Sequence, residues 1–134
     1  MDDHRDTETQ RLNLITEKVI GASIEVHKGL GPGLLERVYQ ACLCHELTKM
    51  RVSFETEKTL PVHYDGIDIQ IGYRVDVVVE QAVIVEIKSV EAILPVHEAQ
   101  LLSYLRMSGM RVGLLLNFNV AHLRDGIRRK INGY

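Results

Sequence analysis

Two apolar runs, Tyr73 to Val79 and Val83 to Lys88, follow each other with only Glu80-Gln81-Ala82 between them. The first is rich in Val and the second in Val and Ile, and they read as adjacent strands of a buried sheet. Yet the first carries Asp76 and the second carries Glu86 and Lys88. Strand side chains alternate between faces, so Glu86 and Lys88 project to one side. An acid and a lysine emerging together from such a strand are costly to bury unless they pair or bind something.

The connection between the strands decides whether Asp76 joins them. A two-residue turn at Glu80-Gln81 opposes Val79 to Ala82 and Asp76 to Val85, and Glu86 then points away from Asp76. A three-residue connection at Glu80-Gln81-Ala82, or one bulge, opposes Val79 to Val83. Asp76 and Glu86 then share a face, diagonally placed within side-chain reach. A common site requires this irregularity. Two carboxylates beside an ammonium suit a hard cation, an activated water and a phosphate, the ingredients of metal-assisted phosphodiester cleavage. The same three residues also suit an ion pair that keeps a sheet edge from pairing with another chain.

Around this hairpin the period of the apolar residues changes twice. Thr7 and Gln10 have capping-box spacing, and Leu12, Ile15, Val19, Ala22 and Val26 then form one helical stripe that Gly29, Gly31, Pro32 and Gly33 stop. A second helix is expected from about Leu34 to Lys49, burying Leu35, Val38, Cys42 and Leu43. Leu60, Val62 and Tyr64 alternate up to an Asp65-Gly66 hairpin turn, and Ile67, Ile69 and Ile71 alternate after it. Pro95 opens a helix reaching about Met107. Val112 to Phe118 reads as a buried strand, and a short helix is expected from about Val120 to Ile131. The expected order is α, α, β, β, β, α, β, α in one domain over residues 1–134, with residues 1–6 frayed.

Composition closes off several alternatives. Apolar residues make up 46% and charged residues 25%, the balance of a globular protein. No apolar run reaches transmembrane length and the acidic start is no signal peptide, so the expected location is cytoplasmic, with no membrane partner. Two cysteines, Cys42 and Cys44, exclude a disulfide framework or a four-cysteine metal cluster. The net charge of −2 gives no overall pull towards nucleic acid, so such binding needs a local basic patch or a bound cation.

Other residues extend the candidate site. Gln100 and Tyr104 share a face of the helix after the hairpin, with His97 one turn before; they suit either strand positioning or a half-buried helix face. Glu36 follows Gly31-Pro32-Gly33 in the first turn of its helix, with Tyr39 one turn on. It either complements the helix N-terminus or adds an acid to the site. Arg124, Arg128, Arg129 and Lys130 form a basic face on the expected last helix, either solvated or contacting phosphate. His27, His45 and His63 are not spaced as a zinc set and are expected to be structural or exposed.

These residues resemble the GxxExxY proteins, a branch of the PD-(D/E)xK nuclease superfamily. Gly33-Leu34-Leu35-Glu36-Arg37-Val38-Tyr39 matches the name-giving motif. Tyr73-Arg74-Val75-Asp76 matches Tyr-Arg-x-Asp, and Glu86-Ile87-Lys88 matches Glu-x-Lys. Ala99 to Leu105 matches Ala-Gln-Leu-Leu-x-Tyr-Leu, and Gly113 to Phe118 matches Gly-Leu-Leu-Leu-Asn-Phe. The resemblance runs from about Ile15 to Arg129. It implies an α/β restriction-endonuclease-like core, a mixed β-sheet flanked by helices. It also implies Mg2+, with Mn2+ as substitute, held by Asp76, Glu86 and the Ile87 carbonyl, while Glu36 holds a second ion or a water on the first. Lys88 acts on the attacking water. Gln100, Tyr104, Tyr39 and Arg74 contact the substrate, a nucleic acid and by expectation DNA, with a homo-oligomer left open. The alternative is a non-catalytic nucleic-acid-binding or assembly module that keeps the fold.

Overall fold

The computed structural model describes residues 4–133. Five strands form one sheet in the order β1-β2-β3-β4-β5: Phe54–Tyr64, Ile67–Val79, Val83–Lys88, Val112–Asn117 and Ile127–Ile131. Only β3 and β4 run parallel; the other pairs are antiparallel. Helices α1 (His4–Leu30) and α2 (Glu36–Lys49) cover one face, and α3 (Pro95–Ser108) covers the other. This is the mixed sheet flanked by helices that the family resemblance implies.

Alternation along the central strands builds both layers. Val83, Val85 and Ile87 of β3 and Val112, Leu114 and Leu116 of β4 pack against the α1 stripe Leu12, Ile15, Val19, Ala22 and Val26, all buried as expected. Ile84 and Leu115 turn the other way, onto Leu101, Tyr104 and Leu105 of α3. Two-sided burial explains why these strands read as nearly unbroken apolar runs.

Several elements differ from expectation. α1 begins at His4, upstream of Thr7, so the Thr7–Gln10 pair lies inside the helix. Of the six residues expected to fray, Met1 to Asp3 lie outside the described residues and His4 to Asp6 are helical. α2 buries Tyr39, Leu43 and Leu47, while Leu35 is 71% exposed and Val38 is also exposed. Its buried stripe is therefore rotated by about one residue. The expected last helix is a single 3-10 turn, Leu123–Gly126, followed by β5. The spacing of Leu123, Ile127 and Ile131 suits a helix, but the free edge of β4 takes the segment as a strand, and tertiary pairing overrides local pattern. Arg129 then reaches Asn13 of α1 and Lys130 pairs with Glu98 of α3, so the basic residues divide between the two faces.

The β1–β2 ribbon contains one irregularity with a clear cause. Tyr64 pairs with Ile67 around the Asp65-Gly66 turn, but the register shifts between Val62 and Leu60. Pro61 sits at the shift, where its missing N–H leaves no ladder bond to lose. A Cβ on Gly72 would stand 1.6 Å from the Leu60 carbonyl oxygen. Gly72→Ala should therefore cost about 1–3 kcal/mol or more as overpacking. Gly21, in mid-helix with nothing within 4 Å of an added Cβ, is the control. Gly21→Ala should stabilise by about 0.5–1 kcal/mol. Urea unfolding of both variants checks the pair of signs.

Candidate metal and nuclease site

The three-residue connection is the one the chain uses. Val79 pairs with Val83, Val78 with Ile84 and Val77 with Val85. The same register sets Asp76 directly opposite Glu86, not on the diagonal. The ladder stops at this row, and side chains replace it. The Ile87 N–H donates to Asp76 Oδ2 at 2.8 Å, and the Asp76 N–H points to Glu86 Oε1 at 3.4 Å. The two carboxyl groups face each other, and the proximity of Asp76 adds to the burial that raises the Glu86 carboxyl. The β1–β2 register places Glu57 opposite Asp76 in the same row, and that pair is missing from the ladder as well. Glu57 has φ 53, a left-handed backbone rare outside glycine.

Glu86 is 7% exposed and points to the α3 side with Ile84 and Lys88. Burial, and then the adjacent Asp76, push its carboxyl up to about 9; the Lys88 charge offsets only part of this. Tyr104 of α3 closes the site from above, buried, with its ring centroid 5.1 Å from that of the half-exposed Tyr73. Its hydroxyl is pushed up to about 12, by burial first and then by Glu86, Tyr73 and Asp76. Tyr104 therefore keeps its proton and remains a donor at neutral pH.

On the other side Asp76 opens into a cleft of about 550 Å³ with Glu36, Arg37, Gln40, Glu57 and Ser89 in its walls. Gln40 Nε2 donates to Glu57 Oε1 at 3.1 Å and to the Asp76 carbonyl at 3.4 Å, tying α2 to the broken row. Glu36 is exposed on the α2 wall. Among the described residues no three His, Cys, Asp or Glu side chains form a group able to hold one ion. Glu36 therefore shares the cleft with Asp76 without completing a compact set with Asp76 and Glu86.

The remaining candidates divide. Gln100 is exposed one turn before Tyr104. His97 Nδ1 accepts the Leu94 N–H at 3.0 Å and so caps α3. Arg74 is exposed on β2, 4.0 Å from Glu57, and can reach solvent or a ligand. Tyr39 does not face the cleft. It is fully buried, stacked on Phe118 at 4.5 Å, and its hydroxyl donates to Gly31 O and accepts Leu34 N–H. Its place in the motif is to fix the 31–35 loop, a structural use in place of the expected substrate contact. Glu57 escaped the sequence reading because the shift at Pro61 moves the residue opposite Asp76 from Glu55 to Glu57. Only the proline within the strand pattern hinted at that shift.

The donors fit a hard divalent ion. Two carboxylates in contact cannot both ionise comfortably without a counter-charge. Among the described residues too few ligands converge for a closed cage, and magnesium commonly keeps several waters. In metal-free buffer the sign of the pH effect follows. Glu86 has a folded-state value above its ordinary 4.5, so its contribution is full below 4.5 and is lost as pH rises towards 9. Wild type should lose stability between pH 5.5 and 8.5, and Glu86→Gln should lose less. Thermal melts in chelator at both values measure this, with ~1 kcal/mol read as roughly 3–6 °C in a domain of this size.

No curated protein matches the chain, and no solved structure matches it. A family model does, over residues 13–130, which include every strand but the last residue of β5 and the whole acidic row. The chain belongs to the PD-(D/E)XK nuclease superfamily.

Proposed function

We propose that the chain is a small divalent-metal-dependent nuclease of the GxxExxY branch, acting on DNA, with magnesium as its ion. The observation that carries this reading is the row where Asp76 meets Glu86 beneath Lys88 and Tyr104. Superfamily membership supports nuclease-like chemistry on nucleic acid with a divalent ion.

Asp76, Glu86 and the Ile87 carbonyl would hold the ion, which supplies Lewis-acid stabilisation of phosphoryl charge and lowers the pKa of water. The residues divide the remaining work. Asp76 is fixed by the Ile87 N–H, so its carboxylate is oriented before any ligand arrives. Glu86 would hold the ion as a carboxylate, giving its proton to solvent. Lys88, at the end of β3, brings a compact positive charge to the nucleophile or the phosphate. Tyr104 offers a hydroxyl proton to a phosphate oxygen, while Gln100 and Arg74 stand at the exposed rim. Glu36 and Glu57, across the cleft, would orient water or a second ion. The site lies at one end of one sheet, compatible with a single domain. Among the described residues no helix is long and apolar enough to cross a membrane.

A second reading, a binding module that keeps the fold without turnover, draws on one observation: the absence of a three-carboxylate group among the described residues. Calorimetry with manganese and cleavage assays on single-stranded DNA, duplex DNA and RNA separate the two. Wild type should bind manganese and cleave at least one substrate. Asp76→Asn, which keeps an acceptor for the Ile87 N–H, should lose both metal binding and turnover with the fold intact. Lys88→Ala should keep most of the metal affinity and lose about 10²-fold or more in rate. Metal binding without cleavage of any substrate would favour the module; no metal binding at millimolar concentration would remove the nuclease reading.

A further inference from the structure

A second hollow, of about 580 Å³, lies on the other side of the 31–35 loop. Its walls come from the last turns of α1 (Ile24, His27, Lys28), from Gly31 and Pro32, and from residues 121–124 after β4. The acidic cleft takes Leu34, Leu35 and Glu36 from the same loop, and Ser89 from the segment after β3. Because β3 and β4 are parallel, the segments following them leave the same edge of the sheet. The two hollows are therefore neighbours on one edge, outside the carboxyl ends of the parallel strands, where open α/β sheets commonly take ligands.

Their charges are opposite. The described walls of the second hollow include Lys28, His122 and Arg124 and no acid. Lys28 and Arg124 are exposed; Lys28 has Glu25 at 3.7 Å on the solvated face of α1, and Asp125 follows Arg124 in the 3-10 turn without lining the hollow. Arg124 is thereby set apart from Arg129 and Lys130, which are held against α1 and α3. His27, in the same wall, is fixed by donating Nε2–H to the Val120 carbonyl at 2.8 Å.

We propose that this hollow, through Lys28, Arg124 and His122, binds the phosphate backbone of the nucleic acid next to the nucleotide held at Asp76 and Glu86. The inference rests on the nuclease reading and adds the path of the strand across the 31–35 loop. A chain with net charge −2 has no global attraction for a polyanion, so a basic hollow beside the metal cleft supplies what the overall charge does not.

The test is fluorescence anisotropy of labelled single-stranded DNA, its duplex and the matching RNA, with calcium in place of magnesium. The variant is Lys28→Glu/Arg124→Glu, and the charge-matched control is Lys18→Glu/Arg106→Glu, exposed helix positions outside both hollows. Circular dichroism checks folding. The first variant should bind more than tenfold more weakly, with the slope of log affinity against log salt reduced by about two. Its manganese affinity should be unchanged. The control should lose far less. The three probes show whether DNA or RNA supplies the backbone. Equal weakening of both variants, or none in the first, overturns the proposal and leaves the nuclease reading standing. No binding of any probe by wild type overturns both.

Discussion

The fold turns on one row of the sheet in which three acidic residues, Glu57, Asp76 and Glu86, fall opposite one another on β1, β2 and β3. A regular ladder through this row would force carboxylates together between apolar layers. The chain instead breaks the ladder there. The Asp76 carboxylate accepts the Ile87 N–H, Glu57 turns into the left-handed region, and Gln40 bridges the two strands from α2. Each break exposes a polar group and each is met by a side chain, so the row is satisfied without being regular. Glu57 and Asp76 line the cleft beside this break, while Glu86 stays buried behind it.

The surrounding loops are held by contacts of a different kind. Tyr39 stacks on Phe118 and grips the 31–35 loop at Gly31 and Leu34, while Ser89 donates its hydroxyl to the Leu34 carbonyl. Asn117, buried at the end of β4, accepts the Val90 N–H and donates to the Val90 carbonyl, and it also accepts the Asn119 N–H. The segments after β3 and β4 are thus clamped to each other and to the helix connection. A site built on strand ends and backed by such locked loops keeps its geometry before a ligand arrives. The motif tyrosine therefore serves the cleft by fixing the loop that separates the two hollows.

Most of the layered fold could be read from period alone. The α1 stripe, the Asp65-Gly66 turn and the parity of Glu86 and Lys88 are local patterns, and the structure keeps them. The three-residue connection could be derived only as the condition for a shared site. The losses have one cause, that partners far along the chain decide them. Leu123, Ile127 and Ile131 keep helical spacing, yet the free edge of β4 needed a strand. Gly126 was the available hint, since a Cβ there would stand 2.1 Å from the Asn117 carbonyl oxygen. Tyr39 looked like a cleft residue because Glu36 is one, although one turn of helix separates an exposed side chain from a fully buried one. Glu57 was hidden by a register shift that only the paired strands define.

Stability alone does not account for Glu86. Its strand neighbours Val85 and Ile87 are apolar and buried, and Leu115 lies beside it on β4. An apolar side chain would fill the space without a desolvation penalty and without facing Asp76. Lys88 offsets the cost only in part, and Tyr104 adds a hydroxyl that stays protonated beside it. A carboxyl kept neutral by its surroundings at physiological pH is poised to give up its proton when a positive charge arrives. A cation bound there, as proposed, would recover the unfavourable free energy of that burial.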